Sequence, residues 1–170
     1  MKILFNNSEI QNAVTQIANT ISEKHFNDPK PPVMICVLNG SFMFFSDLVQ
    51  ALNIDCEIDF IRAKSHVGKE SYHVHILKSI EVSIQGKDIY LVDDILDSGK
   101  TLLKLKSHLE VFKPKSINFV TLFKKHTSNI ESISGITLYN EKWLFGYGMD
   151  NVNGLMRNRT SVFGSSEEEE

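Results

Sequence analysis

An unbroken apolar run, Ile89-Tyr90-Leu91-Val92, ends in two adjacent carboxylates, Asp93 and Asp94. Ile95, Leu96, Asp97, Ser98 and Gly99 follow, and Lys100, Thr101, Leu102 and Leu103 then open a helical pattern. A short run with no polar member reads as a strand buried on both faces. Such a strand, turning within a few residues into a helix, is the repeating unit of an α/β sheet. The order places acids at the carboxyl end of a strand and backbone amides at a helix N-terminus. Carboxylates accept hydrogen bonds from sugar hydroxyls, and the amides bind phosphate. A ribose 5-phosphate needs both.

Two other uses of these residues fail on spacing. Gly99-Lys100-Thr101 could end a Walker A loop, but that loop needs glycine five positions earlier, where Asp94 stands. A carboxylate pointing into a phosphate cradle would repel the ligand. Asp93-Asp94 could be the acidic pocket of a phospho-acceptor domain, but that pair follows the first strand, and here three or four strands come before it.

The chain has 170 residues, enough for one domain with a sizeable core. A net charge of −3 gives no support to a general nucleic-acid binder. Cys36 and Cys56 lie in apolar runs and read as buried free thiols of a reducing compartment. No signal-like segment opens the chain, and no apolar stretch is long enough to span a membrane. The expectation is a soluble cytoplasmic protein.

Ser8 precedes Ile10, Val14, Ile17, Ala18 and Ile21, the spacing of a capped helix. The breaker cluster 27–32 leads to a buried strand, Val33 to Leu38. After the turn Asn39-Gly40-Ser41, Phe42 to Leu52 form a second helix. Cys56 to Ile61 suggest a strand, residues 64–72 a polar loop, and Val74 to Leu77 another strand. Leu102, Leu105, Leu109 and Phe112 give a helix closed by Pro114, and Ile117 to Phe123 a strand. Residues 126–135 read as a polar connection, with late strands at Ile136–Tyr139 and Trp143–Tyr147. Strands and helices alternate, so the core is expected to be a parallel sheet covered on both faces. Its ligand edge would collect three turns: 39–41, 94–100 and the segment after Lys124. Residues 1–164 form the expected single domain, and 165–170 an acidic, disordered tail.

Residues 89–103 resemble the phosphoribosyl pyrophosphate signature of the type I phosphoribosyltransferases: a hydrophobic run, two acids, two variable positions (Ile95 and Leu96), then Asp97, Ser98, Gly99 and Thr101. Four further segments, spanning with it about residues 34–159, resemble the hypoxanthine (hypoxanthine-guanine) branch. The resemblance implies a single-domain α/β fold: a mostly parallel twisted sheet, flanking helices and a small hood from the terminal segments. Leu38-Asn39-Gly40 matches the family's pyrophosphate turn, with Asn39 where many relatives have lysine; the peptide between its second and third residues can be cis. Lys64, Ser65 and His66 open the family's mobile loop, with histidine where tyrosine is usual. Lys124 matches the lysine that meets the purine's exocyclic oxygen, with Lys125 next to it as the alternative register. Trp143 would stack on the base, Leu144 would present main-chain groups to it, and Asp150 would lie near the purine and the pyrophosphate magnesium. Arg157 would meet pyrophosphate, with Arg159 its competitor, because the spacing from Asp150 is one residue longer than usual.

The implied reaction joins a 6-oxopurine, hypoxanthine and also guanine, to the anomeric carbon of phosphoribosyl pyrophosphate. Asp93 and Asp94 would bind ribose hydroxyls, directly or through Mg2+, which Asp150 would also approach. Asp97 would be the general base, with a helix N-cap as its structural alternative. Ser98, Gly99, Lys100 and Thr101, with the amides of Ile95 and Leu96, would cradle the 5′-phosphate. A homodimer or homotetramer is implied by the resemblance. The rival is a regulatory relative that keeps the pocket but binds nucleic acid; the net charge and Asp97 count against it.

Overall fold

The computed structural model describes residues 2–67, 72–139 and 142–164. The chain runs β1 (Lys2–Phe5), α1 (Asn7–His25), β2 (Val33–Leu38), α2 (Phe42–Ala51), β3 (Glu57–Val67), β4 (Tyr72–Lys78), β5 (Asp88–Leu96), α3 (Lys100–Glu110), β6 (Ser116–Lys125), β7 (Ile133–Leu138), β8 (Leu144–Phe145) and β9 (Val162–Gly164). Six strands form one sheet in the order β4-β3-β2-β5-β6-β7. All neighbours are parallel except β4, the edge strand, which pairs antiparallel with β3. This is the type I phosphoribosyltransferase architecture that the resemblance implies.

The apolar runs are explained by the two helix layers. Met34, Cys36, Tyr90, Val92, Val120 and Leu122 pack with α1 and α2, while Val33, Ile35, Ile89, Leu91 and Phe119 pack with α3. No face of the central strands is left to water, so they carry no polar alternation. Helix α1 buries Ile10, Val14, Ile17, Ala18 and Ile21 at helical spacing. Each isoleucine so buried contributes roughly 1.5–3 kcal/mol relative to exposure. Its cap is Asn6, not Ser8. Asn6 Oδ1 accepts from the Glu9 amide at 3.0 Å and Glu9 Oε2 from the Asn6 amide at 2.8 Å, a reciprocal capping box.

Several boundaries differ from the sequence reading. Lys64, Ser65 and His66 belong to β3, paired with His75, Val74 and His73 of β4. The predicted loop 64–72 is therefore mostly hairpin, and residues 68–71 lie outside the described residues. An edge hairpin is held by its backbone ladder rather than by burial, so polar residues fill it without an apolar signal. Strand β5 continues through both acids to Leu96, β7 begins three residues early at Ile133, and β8 is shorter than 143–147. Cys56 is half-buried rather than buried. The tail 165–170 lies outside the described residues.

The hood is a second sheet, β1-β9-β8. Lys2 pairs with Gly164 and Ile3 with Phe163, while Leu144 and Phe145 pair with the other edge of β9. The Phe145 and Phe163 rings stack at 5.7 Å. Among the described residues, no helix is long and apolar enough to cross a membrane.

Candidate active site

Strand order reverses at the centre of the sheet. From β2 the chain passes through α2 to β3 on one side; from β5 it passes through α3 to β6 on the other. The carboxyl ends of β2 and β5 thus lie side by side between diverging connections, the crevice where α/β sheets bind ligands. The turn 39–41 and the acids of β5 meet there. The cis peptide is Leu38–Asn39, one bond before the predicted Asn39–Gly40. β2 keeps its ladder to β3 through Leu38, so the chain changes direction directly at the strand end.

Two backbones and a carboxylate stack in this crevice. A Cβ on Gly40 would lie 1.9 Å from Asp94 Oδ2, and a Cβ on Gly148 (φ +98°) would lie 2.1 Å from the Gly40 carbonyl oxygen. Only glycine allows the hood turn to rest on the 39–41 turn, and that turn on Asp94. Asn39 is exposed, and Leu38 and Gly40 are half-buried. Beneath them the buried Ser41 hydroxyl donates to the Val37 carbonyl at 2.6 Å and touches Cys36 Sγ at 3.3 Å. Burial pushes the Cys36 thiol up to about 11, with the charges of Asp93 and Asp94 adding to the effect.

Asp93 Oδ1 accepts from the Asp94 amide at 3.0 Å, and Asp94 Oδ1 from the Ile95 amide at 2.7 Å. Burial, and then the neighbouring Asp94, hold the Asp93 carboxyl well above the usual carboxylate range. Burial raises Asp94 too; amide hydrogen bonds and the Arg157 charge oppose the rise. Two adjacent carboxylates withdrawn from water favour a shared proton or an arriving cation. Ionising Asp93 at neutral pH therefore works against folding, so stability falls as pH rises through its titration. D93N keeps an acceptor for the Asp94 amide and removes the charge. The ligand-free variant should melt higher than the wild type, by about 2–4 °C for each kcal/mol recovered. Differential scanning calorimetry checks this; a lower melting temperature would contradict the charge argument.

Helix α3 starts at Lys100, with Gly99 (φ +68°) as its N-cap and no side-chain cap. The Leu103 amide makes the first helical bond, to Gly99 O at 2.9 Å. The amides of the first turn point out of the helix end toward the loop. Asp97 is therefore not a helix cap. It is 60% exposed and pairs with Lys125 Nζ at 2.9 Å. Lys124 is half-buried and donates to the Ile130 carbonyl at 2.7 Å. The two lysines thus have different partners. The Leu96 side chain is fully buried in the cluster around α3, so its backbone alone can face a ligand. Ile95 and Thr101 are half-buried, and Ser98 and Lys100 exposed.

In the hood, Trp143 is 57% exposed and its indole donates to the Asp150 carbonyl at 3.1 Å. Leu144 is buried in β8. Arg157 pairs with Asp150 Oδ2 at 2.6 Å and donates to the Gly148 carbonyl at 2.7 Å. Arg159 instead reaches Met156 Sδ at 3.9 Å. The extra residue before Arg157 is taken up in a closed turn: Asn151 Oδ1 accepts from the amides of Asn153 and Leu155 at 3.1 and 3.0 Å. Asp93, Asp94 and Asp150 do not converge tightly. Among the described residues, the grouping of three ligand-type side chains within 4.8 Å is His25, Asp28 and Asp88, at the opposite end of β5. There Lys115 already pairs with Asp88 at 2.7 Å.

Three contacts of the site were absent from the sequence reading: Lys125 with Asp97, Gly148 on Gly40, and Asp47 with Tyr147. The spaced glycines of Gly146-Tyr147-Gly148 were the one signal for the second.

The phosphoribosyl transferase domain model matches residues 4–151. A hypoxanthine-guanine-xanthine phosphoribosyltransferase of Tritrichomonas foetus is 32% identical over 155 residues, covering 88% of this chain and 83% of that protein. The hypoxanthine phosphoribosyltransferase of Escherichia coli K12 is 31% identical over 156 residues, covering 88% and 87%. The crystal structure of a Bacillus anthracis hypoxanthine-guanine phosphoribosyltransferase superposes with a TM-score of 0.85 at 34% identity over 97% of each chain. A Staphylococcus aureus hypoxanthine phosphoribosyltransferase gives 0.89 at 29% identity, over 98% of this chain and 92% of that one. The chain belongs to the phosphoribosyl transferase family, in its hypoxanthine phosphoribosyltransferase branch.

Proposed function

We propose that this enzyme transfers the 5-phosphoribosyl group from phosphoribosyl pyrophosphate to hypoxanthine, and also to guanine, as a purine-salvage step. Residues 1–164 would act as one domain. The observation that carries the reading is the meeting, in one crevice, of the turn 39–41, the half-buried acid pair Asp93–Asp94 and the hood turn at Gly148. The Gly40 contact with Asp94 supports it most directly.

The Asp93 and Asp94 carboxylates bind the ribose hydroxyls. Ser98, Gly99, Lys100 and Thr101, with the amides of Ile95 and Leu96, hold the 5′-phosphate at the N-terminus of α3. Asn39 and Gly40 offer backbone amides to pyrophosphate, and Arg157 offers charge. As pyrophosphate leaves, the anomeric carbon gains cationic character, and Asp97 takes the proton from the purine ring. Trp143 covers one face of the base, and the Leu144 backbone meets its edge. Lys64, Ser65 and His66 begin the segment that closes over the site. Magnesium suits Asp93, Asp94 and Asp150 as hard oxygen donors, and the carboxyls of Asp93 and Asp94, raised by burial, favour a divalent cation. When bound it neutralises pyrophosphate charge. The two free thiols fit a cytoplasmic, reducing setting. A homodimer or homotetramer completes the proposal, and light scattering would test it.

The test is turnover of hypoxanthine, guanine, xanthine and adenine with phosphoribosyl pyrophosphate, with magnesium present or chelated. Magnesium-dependent release of nucleotide from the 6-oxopurines supports the reading, and no turnover of any purine ends it. Lys124 should decide base choice. Its ammonium can only donate, so it matches the 6-oxo acceptor and opposes the 6-amino group of adenine. A site built around such a contact rejects the wrong group by roughly 10⁴-fold or more. K124A should therefore lower kcat/KM for hypoxanthine far more than for adenine. If K125A gives that selective loss instead, Lys125 is the base contact.

A further inference from the structure

We infer that Asp47 is a positioning residue, which through Tyr147 sets the hood against the pyrophosphate turn. This rests on the reading of the crevice given above and names a residue outside it. Tyr147 lies between Gly146 and Gly148 with φ +50°, and it is 2% exposed. Its phenol does not seek water. It donates to Asp47 Oδ2 at 2.5 Å, and Gln11 Nε2 donates to the same oxygen at 2.6 Å. Burial and the Asp47 hydrogen bond push the phenol far above its ordinary range, so it remains the donor.

The two ends of this bond belong to different rigid pieces. Asp47 sits on α2, which grows directly out of the 39–41 turn: Phe42 and Phe45 donate to the carbonyls of Asn39 and Ser41 at 3.3 and 2.8 Å. Tyr147 belongs to the hood turn that carries Arg157. The Gly148 amide donates to Arg157 O at 2.9 Å, and the Arg157 guanidinium donates back to Gly148 O at 2.7 Å. The bond between Asp47 and Tyr147 therefore fixes how far Arg157 and Asp150 stand from the Gly40 backbone. Lys124 lies on another support, β6, whereas Trp143 precedes β8 and meets the same hood turn at the Asp150 carbonyl. Loss of the bond should loosen the grip on pyrophosphate and leave the Lys124 base contact in place.

Y147F removes one oxygen and keeps the ring, so it is the main test. D47A removes the acceptor, and D47N restores an oxygen for both donors. Initial rates are measured against each substrate, and magnesium pyrophosphate is titrated by calorimetry. For Y147F and D47A, KM for phosphoribosyl pyrophosphate and Kd for magnesium pyrophosphate should rise about tenfold, the usual effect of losing a buried hydrogen bond to a charged group. KM for hypoxanthine should stay within about twofold, and D47N should recover most of the affinity. Should D47A fail to fold, Y147F carries the test. A Y147F enzyme that melts lower but keeps both constants would reduce the contact to a structural one. An equal rise in both KM values, or a D47N as weak as D47A, would also overturn the inference. A wild type that turns over no purine would instead refute the proposed reaction.

Discussion

Asp97→Asn is expected to lower kcat by roughly 10²–10⁴-fold with little change in the affinity for phosphoribosyl pyrophosphate. The amide matches the carboxylate in shape but cannot accept the purine proton. Helix α3 does not need Asp97, because Gly99 is its cap, so the substitution should leave the loop folded. The carboxylate is 60% exposed and pairs with Lys125 Nζ at 2.9 Å. Single-turnover measurement of the proton-transfer step, beside calorimetric binding of phosphoribosyl pyrophosphate, separates chemistry from binding. Near-normal turnover would remove Asp97 from the role of base and leave it as the ion-pair partner of Lys125.

Gly40→Ala should be as damaging by another route. The added methyl group would lie 1.9 Å from Asp94 Oδ2, inside any tolerated contact, and Asp94 is held from below by the Ile95 amide at 2.7 Å. Overpacking of this kind destabilises by about 1–3 kcal/mol. The larger effect should be on binding, because the displaced groups are the turn that faces pyrophosphate and the acid that faces ribose. Affinity for phosphoribosyl pyrophosphate should fall by more than about tenfold, the change expected from a displacement worth 1.4 kcal/mol or more. Surface plasmon resonance or calorimetry reads it. An alanine variant with normal affinity would mean that the contact between Gly40 and Asp94 has no part in the site.

The central sheet was legible because burial on both faces leaves unbroken apolar runs. Val33–Leu38 was read to the residue, and the acids were read at the correct end of the fifth strand. The hood was expected from the resemblance; β8 was read within Trp143–Tyr147, but β1 and β9 carried no local signal. β1 and β9 have four and three residues, too short for any periodicity to register. Residues 64–67 were read as loop because an edge ladder is satisfied by backbone bonds whatever the side chains. Ser8 was read as the cap, but Asn6 can serve equally, and the reciprocal bond with Glu9 places the helix start there. The partners of Asp97 and Asp47 were out of reach for a simpler reason. Lys125 is 28 residues from Asp97, and Tyr147 is 100 from Asp47; nothing local encodes such pairings.

The pairing of Lys2 with Gly164 has a bearing on how the molecule is made. β1 is first in order, yet its partner in the sheet is the last strand described. The stretch from β2 to β6, residues 33–125, is complete in sequence long before that partner exists. During synthesis the N-terminal strand must wait unpaired while the central sheet assembles, since chains acquire structure from the N-terminus onward. The hood is therefore closed last, by bringing together segments about 160 residues apart, and such long-range pairings form slowly. A nascent chain would hold the central sheet and its crevice without the hood over it until β9 emerged.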